Sequence, residues 1–224
     1  MKFDVLTLFP NMFEHVLGES MIGRAREKKL LDVSLINIRD FSLNKHKKVD
    51  DAPYGGGTGM VMAAQPIYDA WKSTFVEPER PFTIYLTPQG QVLNQKMAHD
   101  LLSKEHIVLI CGHYEGVDER LIEEIVDLEI SIGDYVLTGG EIAAMAVIDC
   151  VGRLVPGVLP TAEAYIEESH TNGLLEYPQY TRPEIFMGRA VPEVLLSGHH
   201  ANIEEWRLEQ SKSRTKLKRP DMLV

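Results

Sequence analysis

The chain has 224 residues, 44% hydrophobic and 25% charged, a composition that buries roughly 70% of the unfolded surface and excludes a disordered, collagenous or low-complexity protein. Two cysteines, Cys111 and Cys150, make neither a disulfide framework nor a four-ligand zinc site, and the longest apolar run, Ile142 to Ile148, falls far short of a membrane span. The net charge of −10, from 23 Lys and Arg against 33 Asp and Glu, has the wrong sign for a protein that coats itself uniformly on nucleic acid.

In chain order, Phe3 to Phe9 alternates and stops at Pro10, which predicts a first strand, no export signal, and a helix starting in Asn11 to Leu17. A basic island follows. Between Gly23 and Lys48 eight Lys or Arg face three acids, a local +5 that either contacts a polyanion or simply solvates a helix face. Leu31 to Ile38 predicts a second strand, and a long polar stretch from Arg39 to Met60 carries Gly55-Gly56-Gly57-Thr58-Gly59. Three further strands are predicted at Phe82 to Leu86, His106 to Cys111 and Leu128 to Ile132. Each precedes helical or turn-rich residues, which is the pattern of a parallel sheet with crossovers. The first 155 residues therefore read as α/β.

Gly140-Glu141 opens an apolar helix over Ile142 to Val151, with Arg153 at its end, where a cation suits the helix dipole. Beyond Pro156 and Pro160 a polar stretch, 161–172, reads as an interdomain linker. Helical periodicity returns from Ala201 to Gln210, and between Arg207 and Arg219 six cations face one acid. The boundaries are thus a domain over 1–160, the linker, and a small helical domain over 173–224.

The glycine loop at 55–59 lacks the Lys-Ser/Thr of a P-loop, and no GxGxxG lies at the first strand-to-helix turn, so neither ATP hydrolysis nor a Rossmann dinucleotide site is read here. Three glycine-bearing strand ends remain: Thr87 to Gly90, Cys111 to Gly116 and Ser131 to Gly140. If their strands are parallel neighbours, all three emerge at one carboxyl edge, where open α/β sheets bind ligands. Histidines show no metal-ligand spacing, and no GxSxG supports covalent hydrolysis. That leaves carboxylates as candidate bases, among them Glu167 and Glu168 in the linker, which in isolation also read as merely solvated.

Phe9-Pro10, Asp50 to Met60, Tyr85 to Gly90, Gly112 to Arg120, Ser131 to Glu141, Tyr180-Thr181-Arg182-Pro183, Leu195 to Ala201 and Trp206-Arg207 together resemble bacterial tRNA (guanine-N1)-methyltransferases of the SPOUT class. The resemblance runs from Met1 to about Val224. It implies an α/β fold whose mostly parallel sheet is threaded into a deep trefoil knot, followed by a small helical C-terminal tRNA-binding domain. General rules of chain threading argue against a knot, so it is expected from the family alone.

By the same resemblance a cytoplasmic homodimer uses S-adenosylmethionine and Mg²⁺ to methylate N1 of guanosine 37 in tRNA; the sequence itself suggests no membrane partner and no dedicated metal cage. The implied cofactor-binding residues are Tyr85, Leu86, Thr87, Pro88, Gly112, Tyr114, Glu115, Ile132, Gly133, Asp134, Tyr135, Val136, Leu137, Gly139 and Gly140. Arg153 occupies the position of the arginine that steadies O6, and Glu168 that of the base. The family has aspartate there, and one extra methylene moves the oxygens by roughly 1 Å, a displacement that can cost about 10²-fold in rate. Thr58 stands where many relatives have proline, and the C-terminal domain is short. Arg24, Arg26, Lys212, Arg214 and Lys216 are the implied RNA contacts. A knotted methyltransferase with another RNA target, a non-catalytic RNA-binding protein and a small-nucleotide binder remain as alternatives at this point.

Overall fold

The computed structural model describes residues 1–161 and 168–223, and the chain divides into two compact units, Met1–Pro160 and Thr161–Val224. The first unit runs β1 (Lys2–Thr7), α1 (Glu14–Gly18), α2 (Ser20–Glu27), β2 (Asp32–Asn37), β3 (Asp50–Asp51), β4 (Val61–Met62), α3 (Ala64–Lys72), β5 (Phe82–Val92), α4 (Gln95–Leu102), β6 (His106–Cys111), α5 (Glu119–Ile125), β7 (Leu128–Ser131) and α6 (Glu141–Gly152). Five of these strands form one parallel sheet in the order β2-β1-β6-β5-β7. A parallel sheet must be covered on both faces, so its central strands are largely apolar: Phe3, Val5 and Leu6 on β1, interrupted by the buried Asp4, and the unbroken run Ile107 to Cys111 on β6 are all buried. Because β7 follows β6 in the chain but pairs with β5 in space, the connection between them crosses over β5.

Two local expectations need adjusting. The helix expected to start within Asn11 to Leu17 does start there, at Glu14, but as the short α1 preceded by a 3₁₀ turn, Pro10–Phe13, and Glu19 is extended before a second helix, α2, begins at Ser20. Proline at the first position suits the tighter turn, and the break lets Arg26 reach back from α2 to the Leu17 carbonyl at 3.0 Å.

The second correction concerns Thr87 to Gly90, expected to be a loop at a strand end. It lies inside β5, which continues to Val92. Both Leu86 and Gln91 face Ile130, so the four residues between them bulge out of the ladder. Gly90 is what permits this: a Cβ there would lie 2.5 Å from the Glu129 carbonyl carbon on β7.

The second unit contains β8 (Ile185–Phe186), β9 (Arg189–Ala190), α7 (Glu193–Leu196) and α8 (His200–Lys218). The strands are a small antiparallel hairpin that the sequence reading does not anticipate. Helix α8 is also longer than the predicted 201–210, because Ile203, Arg207, Ser211 and Thr215 continue one inward stripe at i,i+4 spacing through the basic tail. Thr215 anchors that stripe: its Oγ1 accepts from the Leu175 amide at 2.8 Å and donates to the Ser211 carbonyl at 2.7 Å.

Candidate functional site

At the carboxyl edge of β6, β5 and β7 the three glycine-bearing segments enclose a cavity of about 350 Å³. It lies where chain order and spatial order diverge, the position at which open parallel sheets present adjoining loops rather than covering helices. Tyr85, Leu86, Thr87 and Pro88 line it from β5, Gly112, Tyr114 and Glu115 from the loop after β6, and Ile132, Gly133, Tyr135, Val136, Leu137, Gly139 and Gly140 from the segment before α6. Of the cofactor residues named from sequence, only Asp134 is absent from the lining, its side chain lying exposed. Gln89, His113, Ser131 and Thr138, which lie within the three segments read from sequence as a ligand edge, line it as well, as do Glu119, Ile122 and Glu129, which lie outside those segments. Membership of a glycine-bearing segment signalled the first four without telling a lining side chain from a turn residue, and nothing in the sequence pattern signalled the other three.

The cavity suits a group carrying positive charge. A Cβ on Gly112 would lie 2.9 Å from the Tyr85 ring, so a larger residue would press on the wall that this ring forms. The lining holds three carboxylates, Glu115, Glu119 and Glu129, and no Lys or Arg. Burial pushes the Tyr85 phenol above its ordinary pKa; Glu129 and Glu119 add to the rise, against hydrogen bonds from the Val117 backbone and Thr87. Cys111, at the end of β6, is pushed much further up, by complete burial first and then by the charge of Glu141. It is a core thiol rather than a nucleophile.

Behind the cavity wall a buried carboxylate joins three passes of the chain. Glu141, 1% exposed at the start of α6, accepts from Thr7 Oγ1 at 2.7 Å through Oε1 and meets His113 Nε2 at 2.8 Å through Oε2. The Phe9 ring packs on His113 with centroids 5.0 Å apart. In the same place Gly140 donates its amide to the Gly112 carbonyl at 2.9 Å, and His113 and Gly139 form an isolated bridge.

The two residues named for catalysis belong to different units. Arg153 follows α6 in the first, half-buried, with its amide donating to the Asp149 carbonyl at 3.1 Å. Glu168 belongs to the second, where it lines a cavity of about 210 Å³ with Leu174, Tyr177, Glu204 and Arg207. Arg207 stacks its guanidinium 4.6 Å from the Tyr177 ring centroid. Glu167 lies outside the described residues, as does the rest of 162–167 in the predicted linker.

Of the RNA contacts named from sequence, Lys212 and Lys216 are exposed on α8 and Arg214 is half-buried. Arg24 is exposed, its Nε donating to the Ser20 carbonyl, whereas the guanidinium of Arg26 is engaged by the Leu17 carbonyl. Among the described residues no three His, Cys, Asp or Glu are grouped so as to hold a metal ion.

The model of the family described as "tRNA (Guanine-1)-methyltransferase TrmD" matches residues 1–224. The chain belongs to this family. It is 64% identical to the tRNA (guanine-N(1)-)-methyltransferase of Ruminiclostridium cellulolyticum over 223 residues, 99% of this chain and 96% of that protein. The enzymes of the same name from Caldanaerobacter subterraneus subsp. tengcongensis and Clostridioides difficile are 58% and 57% identical over 224 residues. They align over 100% and 99% of this chain and over 92% and 97% of their own lengths. The TrmD fold is the knotted α/β SPOUT arrangement, and the five-stranded parallel sheet with its flanking helices is its framework here.

Proposed function

We propose that the chain transfers a methyl group from S-adenosylmethionine to N1 of guanosine 37 in tRNA. The observation that carries this reading is the cavity built from three glycine-bearing segments at the β6-β5-β7 edge of a chain that matches the TrmD family from end to end. Bound in that cavity, S-adenosylmethionine supplies a methyl carbon that bonds to N1 as its bond to sulfur breaks, leaving a neutral thioether. Backbone and small residues from Gly112 and from Gly139-Gly140 accommodate the flat adenine. The carboxylates of Glu115, Glu119 and Glu129 favour a ligand with a positive centre.

N1 of neutral guanine carries a hydrogen and is a poor nucleophile, so the protein must remove that proton and stabilise the charge that appears on O6. Glu168 is the base that takes the proton. Arg153 places its cation at O6. Glutamate and aspartate have similar ordinary pKa values, about 4, so replacing the family's aspartate preserves basicity and changes reach. Mg²⁺ belongs to the proposed reaction mixture, but the described residues offer it no dedicated cage, and no step here runs through it.

The tRNA is held electrostatically through Arg24 on α2 and through Lys212, Arg214 and Lys216 on α8, with Arg26 the weakest of the named contacts because its guanidinium is already engaged. A homodimer is supported by half-exposed apolar side chains at Phe9, Met12 and Val16, spaced i, i+3, i+7, and by Ile142 on α6, which packs against the 3₁₀ turn. No helix among the described residues is long and apolar enough to cross a membrane, and both cysteines are free. These features fit the cytoplasmic setting proposed here.

The test is transfer of labelled methyl from S-adenosylmethionine to an unmodified tRNA transcript with guanosine at position 37, with and without Mg²⁺, followed by nucleoside mapping. Product at N1 of that guanosine is expected. Label elsewhere would redirect the reading to another RNA target, and cofactor binding without any transfer would make the chain a non-catalytic RNA-binding protein. Glu168→Gln is expected to lower turnover about 10²- to 10⁴-fold with cofactor affinity unchanged, and full turnover with methyl transfer rate-limiting would remove Glu168 from the role of base.

A further inference from the structure

Glu141 is the most deeply buried acidic side chain beside the cofactor cavity, yet the proposed chemistry does not use it. A buried carboxylate is costly unless its oxygens are hydrogen-bonded. Here one oxygen accepts from Thr7 at the end of β1 and the other meets His113 in the loop after β6, while the residue itself begins α6. Three chain passes separated by up to 134 residues therefore converge on one carboxylate. Two of them supply the cavity wall: His113 with its neighbours Gly112 and Tyr114, and Gly139-Gly140 immediately before Glu141.

The packing leaves little alternative geometry. A Cβ on Gly139 would lie 2.2 Å from His113 Cε1 and 2.7 Å from Glu141 Oε2, so the His113–Glu141 pair fills the space that a larger residue at 139 would need. Phe9 packs on the His113 ring, and Thr7 Oγ1 accepts from the Phe9 amide at 2.9 Å, which ties the ring contact to the same carboxylate through the hydroxyl. The start of α6 also places the negative charge at the positive end of a twelve-residue helix.

We infer that Glu141 is a positioning residue for the cofactor site: by fixing His113 and the N-terminus of α6 against the end of β1, it sets the spacing between the two glycine segments that receive the cofactor. Its contribution is to affinity for the cofactor rather than to proton transfer. This inference rests on the assignment of the cavity to S-adenosylmethionine.

The experiment is calorimetric titration of the full-length protein with S-adenosylmethionine, on wild type, Glu141→Gln, His113→Phe and the double variant, well below the unfolding midpoint of each. Steady-state kinetics run in parallel at saturating tRNA. Each single variant is expected to weaken cofactor binding about tenfold and to raise KM for S-adenosylmethionine by a similar factor, and for Glu141→Gln, whose side chain does not line the cavity, kcat at saturation is expected within about twofold of wild type. The double variant is expected to weaken binding by much less than the hundredfold product of the singles, because both substitutions break one unit.

Glu141→Gln keeps an acceptor for Thr7 and is expected to bind more tightly than Glu141→Leu, which keeps none. A purely structural carboxylate would lower the unfolding midpoint while leaving cofactor affinity in the folded protein within twofold of wild type, and that result would overturn the inference. So would strictly multiplicative effects in the double variant. If wild type itself failed to bind S-adenosylmethionine, the assignment of the cavity would fall, and with it the basis of this inference.

Discussion

The amide of Gly140 donates to the carbonyl of Gly112 across 2.9 Å, joining the segment that opens α6 to the loop that leaves β6. A Cβ on Gly140 would sit 2.7 Å from the Cys111 Cα and 3.0 Å from the Gly112 nitrogen. These are backbone atoms of a central strand end and cannot swing aside. Gly140→Ala is therefore expected to destabilise the protein by roughly 1–3 kcal/mol, the usual cost of overpacking, and to weaken cofactor binding. Denaturant unfolding followed by cofactor titration checks both, and a variant of wild-type stability would show that the strand end yields.

At the opposite end of the sheet, Asp4 is 2% exposed and lies 2.7 Å from His106 Nε2 and 2.9 Å from Lys2 Nζ. Burial alone raises its carboxyl pKa, but the hydrogen bonds from His106 and Lys2, with their charges, outweigh burial and hold it below its ordinary value. A carboxylate depressed in the folded state contributes stability above its unfolded pKa of about 4 and loses that contribution as pH falls through the folded value. Asp4→Asn is expected to cost about 1.5–3 kcal/mol at pH 7 and to flatten the decline in stability below about pH 4. Unfolding free energies measured from pH 2 to 7 would show it. A variant with the same acid limb as wild type would locate the acid sensitivity elsewhere.

Thr215 is fully buried in the second unit, and its hydroxyl both receives the Leu175 amide and donates to the Ser211 carbonyl. Thr215→Val keeps the shape and leaves the Leu175 amide without that acceptor. The expected cost is about 1–3 kcal/mol, confined to this unit. Amide exchange should therefore speed up around Leu175 and along α8 while the five-stranded sheet keeps its protection. Unchanged exchange at Leu175 would mean that another acceptor takes over.

Lys212 and Lys216 are exposed on α8. If each neutralises one tRNA phosphate, the logarithm of the binding constant falls with the logarithm of salt concentration, and each Lys→Ala substitution reduces that slope by about one. Arg26→Ala is expected to change it less, because Arg26 already serves the Leu17 carbonyl. Filter binding from 50 to 300 mM salt separates the two cases. A slope that ignored the α8 lysines would move the RNA contact to another surface.

The sequence by itself determined the elements whose signal is local and the family to which they belong. The first strand was legible from its alternation, whereas the unbroken apolar run of β6 and the helix over Ile142 to Val151 were legible because a segment covered on both faces must be apolar at nearly every position. Glycines at the strand ends marked the cavity, since only their backbones leave room there. What failed were features decided by a neighbour. The bulge at Thr87 to Gly90 depends on how closely Gly90 approaches Glu129, and the full length of α8 depends on Thr215 reaching Leu175.

The convergence of Thr7 and His113 on Glu141 is of the same kind. Nothing in the periodicity around residue 7 refers to residue 141. Helical and strand patterns record what a segment buries, whereas a hydrogen bond across 134 residues exists only once the sheet and α6 have brought the two positions together. Tertiary structure alone could select that pair, because the cost of burying the Glu141 carboxylate is offset only where partners from other parts of the chain arrive within hydrogen-bond distance.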